Sequence, residues 1–378
     1  MTSSHTPRIG IVFGTRPEVI KLYPLLAELK PHVEAGDVVV RTFNTGQQRE
    51  LVAQALALFG HTPDYDFDLM QDGEPLTYAH ARMTRSLGMA FADERLDRVI
   101  VQGDTLTAFT AAMCAFYARI PVAHVEAGLR TWDLGQPFPE EAHRRWITAC
   151  ADLHFCPTGT TRRNLIDEGV PPREAPLVGN TVIDAMRLVQ DQIKPPEGLA
   201  EPIGRRLFVT VHRRENHKRL ESDILPALRQ VLADTPDLDA VLTVHPNPNV
   251  AEPLRRVLGS HPRIQLLDPV DYPHSLGLIR QSTLVITDSG GLQEEATALG
   301  TPVMVVRELT ERIEALATGN ALIIGTGAAA VASRVSKLLA NPIQLERMSR
   351  PSDVFGDGYA SGRIVKRIVD DLQARRPA

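Results

Sequence analysis

Short apolar runs alternate along the chain with longer amphipathic ones. Ile9–Phe13, Val38–Phe43, Val99–Val101, Val122–Val125 and Leu153–Cys156 are nearly uniformly apolar and strand-sized, which predicts strands buried on both faces. Between them, Glu18–Lys30, Gln48–Phe59, Leu76–Phe91, Leu106–Tyr117, Glu140–Cys150 and Thr160–Glu168 carry apolar residues at helical spacing. The alternation pauses at Gln192–Gly204, where Pro195, Pro196 and Pro202 predict a loop. A second series of strands follows at Leu207–Val211, Ala240–Val244, Ile264–Leu267, Leu284–Thr287, Val303–Val306 and Leu322–Ile324. Helices fall between these too, and a last helical stretch covers Gly362–Arg375. The pattern predicts an α/β fold of two doubly wound parallel sheets of similar size, facing each other across a cleft. In such sheets ligands bind beyond the C-terminal strand ends, so the informative residues lie just after each strand.

The length, 378 residues, fits about two domains. A net charge of −5, with both signs mixed along the chain, gives no basic stretch for nucleic acid or an anionic membrane. Met1 to Arg8 lacks the apolar core of a secretory signal, and no apolar run is long enough to span a bilayer. Cys114, Cys150 and Cys156 show no metal-ligand spacing; Cys114 reads as an inert buried thiol, and a reducing cytoplasm is expected.

After the first strand come Gly14-Thr15-Arg16-Pro17-Glu18 and then Lys21. Gly14 suits a tight turn, Pro17 an early helical position, and Arg16 with Lys21 places two cations near a helix N-terminus, where anions bind. An ordinary capped helix with solvated charges explains these residues equally well. The dinucleotide fingerprint Gly-x-Gly-x-x-Gly is absent and no Tyr-x-x-x-Lys pair follows, against an NAD-dependent epimerase. Three carboxylates follow strands or open a helix: Asp104 in Gln102-Gly103-Asp104-Thr105, Glu126 in His124-Val125-Glu126-Ala127-Gly128-Leu129-Arg130-Thr131, and Glu140 in Pro137-Phe138-Pro139-Glu140-Glu141-Ala142-His143-Arg144. Asp104 and Glu140 fit helix termini as well. Glu126 ends an apolar strand, where a carboxylate costs several kcal/mol unless paired; Arg130 and Arg144 are the candidate partners.

In the second half, Thr210-Val211-His212-Arg213-Arg214-Glu215-Asn216 places a histidine and two arginines at a strand end, suited to a diphosphate and a proton carrier. His245-Pro246-Asn247-Pro248-Asn249 occupies the same place one unit later. Thr287-Asp288-Ser289-Gly290-Gly291-Leu292-Gln293-Glu294-Glu295 runs from strand through a Ser-Gly-Gly turn into a helix. There Gly290 and Gly291 let backbone amides approach a phosphate, and Glu295, one turn in, reaches for ribose hydroxyls. Arg307 and Thr310-Glu311-Arg312 follow the next strand.

At these residues the chain closely resembles the non-hydrolysing UDP-N-acetylglucosamine 2-epimerases of bacteria, from Gly14 to about Gly358. The motifs that carry the likeness are Gly-Thr-Arg-Pro-Glu, Gly-Asp-Thr, His-Val-Glu-Ala-Gly-Leu-Arg-Thr, Pro-Glu-Glu, Gly-Asn-Thr-Val-Ile-Asp-Ala (179–185), His-Arg-Arg-Glu-Asn and Asp-Ser-Gly-Gly-x-Gln-Glu-Glu-Ala. The resemblance implies a GT-B fold: a first Rossmann-like domain over 1–176 joined by a C-terminal helix within 360–378, a UDP-binding domain over 177–359, and a homodimer. It matches Asp104, Glu126, Glu140 and His212 to catalysis. Arg16, Lys21, Arg144, Arg213, Ser289, Gly290, Gly291, Glu295 and Arg312 fall in or beside the family's substrate-binding motifs. Gln47, His245 and also Arg213 correspond to residues around a second site that in some members holds UDP-N-acetylglucosamine as activator. The chain departs from the family at Gln48, His143, the His217-Lys218-Arg219 segment, Pro246, Ser275 and Ile313. These changes gather around the second site and the base pocket, so they bear on activation and substrate more than on reaction type.

The hydrogen on C-2 of an N-acetylhexosamine is not next to a carbonyl, so direct deprotonation needs an unreasonably strong base. Departure of UDP first makes C-2 acidic. The expected route is elimination to 2-acetamidoglucal and UDP, then re-addition with the proton delivered to the opposite face. Arg16, Lys21, Arg213 and the Ser289–Gly291 turn hold the diphosphate, the carboxylates move protons and stabilise positive charge, and His212 serves the phosphate. Neither NAD nor a metal is called for. The rival readings are a GT-B glycosyltransferase, a hydrolysing epimerase, a silent UDP-sugar sensor, and an epimerase of a modified UDP-N-acetylhexosamine.

Overall fold

The computed structural model describes residues 5–71 and 73–374. Among these residues, twelve strands form two parallel sheets of six. The first contains β1 (Arg8–Phe13), β2 (Val39–Asn44), β3 (Tyr65–Asp66), β4 (Arg98–Gln102), β5 (Val122–Val125) and β6 (Leu153–Phe155), in the order β3-β2-β1-β4-β5-β6. The second contains β7 (Arg205–Thr210), β8 (Leu238–Thr243), β9 (Ile264–Leu267), β10 (Leu284–Thr287), β11 (Val303–Val305) and β12 (Ala321–Ile323), in the order β12-β11-β10-β7-β8-β9. Counted within each sheet, both orders are the Rossmann order, with a switch point between β1 and β4 in one and between β7 and β10 in the other. The expected class, α/β with two Rossmann-like doubly wound sheets of GT-B type, is the one observed. The two-residue strand Tyr65–Asp66, too short to leave an apolar run, is absent from the sequence-based expectation.

Side chains alternate across the first sheet and so feed two cores. Ile9, Ile11, Phe13, Ile100, Ala123 and Val125 point to one face, packed by the helices Arg16–Glu34 and Ala360–Ala374. Val12, Val99, Val101 and Val122 point to the other, under Leu76–Glu94 and Leu106–Tyr117. Burial on both faces is why these strands are apolar throughout. The last helix offers Ile364, Val365, Ile368, Val369 and Leu372, one stripe at helical spacing.

The described residues up to Leu188 together with those from Gly356 onward form one compact unit, and Val189–Phe355 forms the other. The division falls after Leu188 rather than after 176, because the helix Thr181–Leu188 is bonded into the first unit. Its Asp184 accepts hydrogen bonds from the Ala360 and Ser361 amides, at 3.2 and 2.7 Å, which caps the last helix. Fully buried Arg98 binds Asp152 (2.9 Å) and Asp371 (2.5 Å), fastening the far end of that helix. The helix covers Ala360–Ala374, so the final residues of the expected 360–378 segment lie outside the described residues. No helix among the described residues is long and apolar enough to cross a membrane.

Candidate active site

In the first unit, β1 runs into Gly14 and then the helix Arg16–Glu34. A Cβ on Gly14 would sit 2.0 Å from Thr45 Oγ1 and 2.4 Å from Thr107 Oγ1, two hydroxyls bonded to each other at 2.7 Å. Contact, not turn geometry, demands this glycine. Glu18, one turn into the helix, is buried. Its Oε2 accepts from the Gly14 amide (2.9 Å), the Thr15 amide (2.8 Å) and the Thr15 hydroxyl (2.8 Å), and its Oε1 from Thr105 Oγ1 (2.6 Å). Thr105 Oγ1 also accepts from Ala108 N at 3.0 Å, capping the helix Leu106–Tyr117. Burial pushes the Glu18 carboxyl up to about 7, against the opposite pull of these hydrogen bonds. The sequence reading left Glu18 out of the site, although Thr15-x-x-Glu18 is a capping-box pattern that marks it.

Asp104 follows β4, and three side chains hold it and the Gly103 carbonyl before it. Arg144 donates to its carboxylate. His143 donates from Nδ1 to its backbone oxygen at 3.0 Å, and His124 donates from Nε2 to the Gly103 oxygen at 2.7 Å. The carbonyls only accept, so each histidine carries its proton on the named nitrogen. Burial lowers the pKa of both histidines, that of His124 to about 3. His143, where the family has another residue, also stacks on Phe109 at 5.1 Å. Arg144 is held in turn by Glu141 at 3.2 Å, and Glu141 accepts from the Thr131 and Trp132 amides at 3.0 and 3.2 Å. Glu141, fully buried, is a second residue that the sequence reading passed over.

Glu126, just past β5, has φ of 63°, a left-handed conformation uncommon for a side-chain-bearing residue. It is 6% exposed. Its partners are Lys21 Nζ at 2.6 Å and the Gln102 side chain. The expected partners are engaged elsewhere: Arg130 binds Glu168 at 2.7 Å and Arg144 binds Asp104. The correction has a geometric cause. Lys21 lies in the helix after β1, and β4 with Gln102 stands between β1 and β5, so all three converge at one sheet edge. Lys21, buried to 5% exposure, therefore meets a carboxylate rather than lying open as a phosphate clamp. Arg16 is half-buried, and its amide donates to Gln48 Oε1 at 3.1 Å, which gives the departure at Gln48 a local role. Glu140 is half-buried at the start of the helix Glu140–Cys150. Gln47 Oε1 accepts from Thr107 Oγ1 at 2.8 Å, so its carboxamide is tied into this unit.

In the second unit, His212 and Arg213 leave β7 beside buried Asp288, which leaves β10. Asp288 accepts from the His212 amide (3.1 Å), the Arg213 amide (2.9 Å) and Asn216 Nδ2 (2.9 Å). The His212 ring stacks on His245 with centroids 5.4 Å apart. Burial lowers the His212 pKa, partly offset by Asp288, and lowers His245 to about 4. His245 Nδ1 accepts from the Asn247 amide at 3.1 Å, which leaves the proton of the neutral ring on Nε2.

Ser289 occupies the N-cap position of the helix Gly290–Leu299 without a side-chain cap hydrogen bond, and the first amides of this helix are where an anion is expected. The two glycines differ. A Cβ on Gly290 would come 3.1 Å from Arg312 Cζ, so the bare Cα makes room for the guanidinium. A Cβ on Gly291 would meet nothing nearer than Glu295 Oε1 at 4.0 Å. Only Gly291 keeps the expected role of leaving a face open. Arg312 binds Glu294 at 2.8 Å and Glu311 at 3.4 Å; Glu311 binds Arg307 at 2.7 Å, and Arg307 binds Glu215 at 3.0 Å. This ladder, buried except at Glu215, backs the helix N-terminus. Glu295 is 7% exposed in the first turns of that helix. Ser275 lies in the first turn of the helix Tyr272–Gln281, its amide bonded to the Asp271 oxygen at 3.0 Å.

The sequence-predicted residues thus fall into two constellations. Arg16, Lys21, Gln47, Asp104, Glu126, Glu140 and Arg144 belong to the first unit; His212, Arg213, His245, Ser289, Gly290, Gly291, Glu295 and Arg312 belong to the second.

Comparison with known proteins gives this arrangement a family context. A profile described as UDP-N-acetylglucosamine 2-epimerase matches residues 32–369. The UDP-N-acetylglucosamine 2-epimerase of Escherichia coli (strain K12) is 42% identical over 96% of this chain and 99% of its own. That of Salmonella typhimurium is 41% identical over 96% of this chain and 98% of its own. Among solved structures, the UDP-GlcNAc 2-epimerase from Neisseria meningitidis bound to UDP-GlcNAc matches with a TM-score of 0.91, at 35% identity, covering 96% of this chain and all of that one.

Proposed function

The chain belongs to the UDP-N-acetylglucosamine 2-epimerase family, and on that footing we propose that it interconverts UDP-N-acetylglucosamine and UDP-N-acetylmannosamine by elimination and re-addition. The observation that carries this reading is Glu126, held at φ of 63° against Lys21 at a strand end. Such strain persists where the surroundings over-determine it, which is a feature of functional positions.

In the forward step the C-1–oxygen bond breaks and its electron pair leaves with UDP. Positive charge at C-1 makes the C-2 hydrogen acidic, and a carboxylate removes it, forming the C-1=C-2 bond of 2-acetamidoglucal. In the reverse step a proton is delivered to the other face of C-2 while UDP returns to C-1. Asp104, Glu126 and Glu140 are the proton carriers and charge stabilisers of this reading. Arg16, Arg213 and the amides that open the helix Gly290–Leu299 hold the diphosphate, and Glu295 takes the ribose. His212 exchanges a proton with the diphosphate oxygen. The ammonium of Lys21 lies against the buried Glu126 carboxylate and offsets the cost of its burial.

The same reading includes a homodimer, a cytoplasmic location and an activating second UDP-N-acetylglucosamine near Gln47 and His245. The free cysteines Cys114, Cys150 and Cys156 support a reducing compartment, and burial pushes the Cys114 thiol up to about 11. The stack of His245 on His212 supports a route from an activator to the reacting histidine. Sedimentation of the purified protein tests the dimer; activity against added UDP-N-acetylglucosamine at trace labelled substrate tests the activator.

Proton NMR of the protein with UDP-N-acetylglucosamine in heavy water tests the reaction. The expected result is UDP-N-acetylmannosamine, with deuterium at C-2 in both isomers. Free N-acetylmannosamine would make the protein a hydrolysing enzyme. No change, with or without activator, would sink this substrate and turn attention to modified UDP-N-acetylhexosamines.

A further inference from the structure

Asp288 is a buried carboxylate that the reaction as written does not use. It sits at the end of β10, across the switch point from β7, and His212, Arg213 and Asn216, which donate to it, all belong to the His212 loop. The amides of His212 and Arg213 donate to it, at 3.1 and 2.9 Å. Asn216 Nδ2, at 2.9 Å, bridges it to the Val306 oxygen at 3.1 Å, just past β11. One carboxylate therefore sets where the loop leaves the sheet. The imidazole has its own relation to it: His212 Nδ1 lies 3.7 Å from Asp288 Oδ1 and 3.4 Å from the Thr210 hydroxyl. At 3.7 Å the first contact is electrostatic rather than a hydrogen bond. Its sign favours a proton on Nδ1, because a carboxylate prefers the N–H edge of a neighbouring ring to the lone-pair edge, and the Thr210 hydroxyl can accept from that proton.

We propose that Asp288 is the positioning residue for His212, holding its loop by the backbone and fixing the proton of the neutral ring on Nδ1, so that His212 reacts through Nε2. This rests on the proposed role of His212 at the diphosphate. A proton taken up on Nε2 breaks one O–H bond and forms one N–H bond, and the reverse returns it, so the ring comes back to its starting tautomer after each cycle. The other charged or titratable groups that face the ring are Arg213, His217, which donates from Nε2 to the His212 oxygen at 3.0 Å, and the stacked His245. Arg213 and His217 disfavour the imidazolium and Asp288 favours it. Asp288 is thus the only member of this set whose charge supports a protonated His212.

The experiment is nitrogen-15 NMR of the intact protein with labelled histidine, titrated over pH, with the His212 signals assigned by their loss in His212→Asn. The neutral ring should carry its proton on Nδ1. In Asp288→Asn the His212 pKa should fall by about one pH unit and the tautomer preference should weaken. In that variant kcat should drop about tenfold or more, while KM moves less than about threefold. Asn216→Ala removes a donor but keeps the carboxylate, so it should preserve the tautomer and the pKa. A proton on Nε2 in the unaltered protein, or an unmoved His212 pKa in Asp288→Asn, overturns the proposal. If Asp288→Asn does not fold, the tautomer of the unaltered protein still decides. The tautomer and pKa are read without substrate. An inert protein with the predicted tautomer therefore removes the epimerase reading and leaves the positioning intact, while an active protein with the wrong tautomer does the reverse.

Discussion

At each switch point a buried carboxylate joins the two diverging loops, but the two units set it differently. In the first, Glu18 reaches from the helix after β1 to Thr105 after β4, and two amides and two hydroxyls donate to it. Burial then dominates, and the group titrates near 7. In the second, Asp288 reaches from the loop after β10 to the amides after β7, with the imidazole of His212 beside it. The units also spend their cations differently. In the first, Lys21 and Arg144 bind Glu126 and Asp104, the carboxylates to which the proposed reading gives the proton transfers. In the second, Arg312 and Arg307 are committed to Glu294, Glu311 and Glu215 behind the helix N-terminus. On the proposed reading, one Rossmann frame serves proton transfer in one copy and anion binding in the other. The difference lies in which side chains follow the strands, not in the strand order.

Glu126→Gln breaks this division most severely. We expect C-2 deuterium exchange to fall about a thousandfold, the size of a lost general base, while UDP affinity by calorimetry stays within about threefold. An equal loss of UDP binding would mean that the first unit, too, governs the nucleotide. Gly14→Ala should follow: its Cβ would strike Thr45 and Thr107, 2.0 and 2.4 Å away. A loss of about 3 kcal/mol or more in urea unfolding is expected, since both threonines are fully buried and their hydroxyls are bonded to each other, that of Thr107 also to Gln47.

Glu18→Gln sharpens the contrast through pH. The raised pKa means that, between its ordinary value of 4.5 and about 7, the folded protein holds a proton that the unfolded chain has released. Stability from Glu18 is therefore greatest on the acid side and lost as pH rises through that window, by up to about 3 kcal/mol. The variant sacrifices hydrogen bonds worth about 1–3 kcal/mol but escapes this loss. Its Tm relative to the unaltered protein should improve from pH 5 to pH 7; a constant difference would show that Glu18 stays ionised throughout.

The smallest expected effects separate the two glycines of the second unit. Gly290→Ala presses on Arg312 from 3.1 Å and should lose about 1 kcal/mol of stability, with UDP affinity falling severalfold. Gly291→Ala meets open space and should be neutral or slightly stabilising in calorimetry. A loss of UDP affinity there without loss of Tm would identify Gly291 as the glycine against which a phosphate lies.

The apolar runs and their helical intervals alone determined the doubly wound sheets, because parallel strands buried on both faces must be apolar throughout. The places of Asp104, Glu126, His212 and Ser289 were legible for a related reason: in such sheets the loops after the strands carry the ligand chemistry. The β3 strand escaped, being two residues long and held by backbone pairing with Phe43 and Asn44 rather than by an apolar run. So did the pairings. Lys21 and Glu126 lie 105 positions apart, and nothing local to either says that Lys21, rather than Arg130 or Arg144, would reach Glu126. Likewise Gly290 reads as a phosphate glycine until the fold lays Arg312 against it, 22 residues later in the chain. Local sequence sets which groups stand at the strand ends. Only the crossing of strands distant in sequence decides which charge neutralises which, because ion pairing depends on separations of a few ångströms that periodicity does not encode.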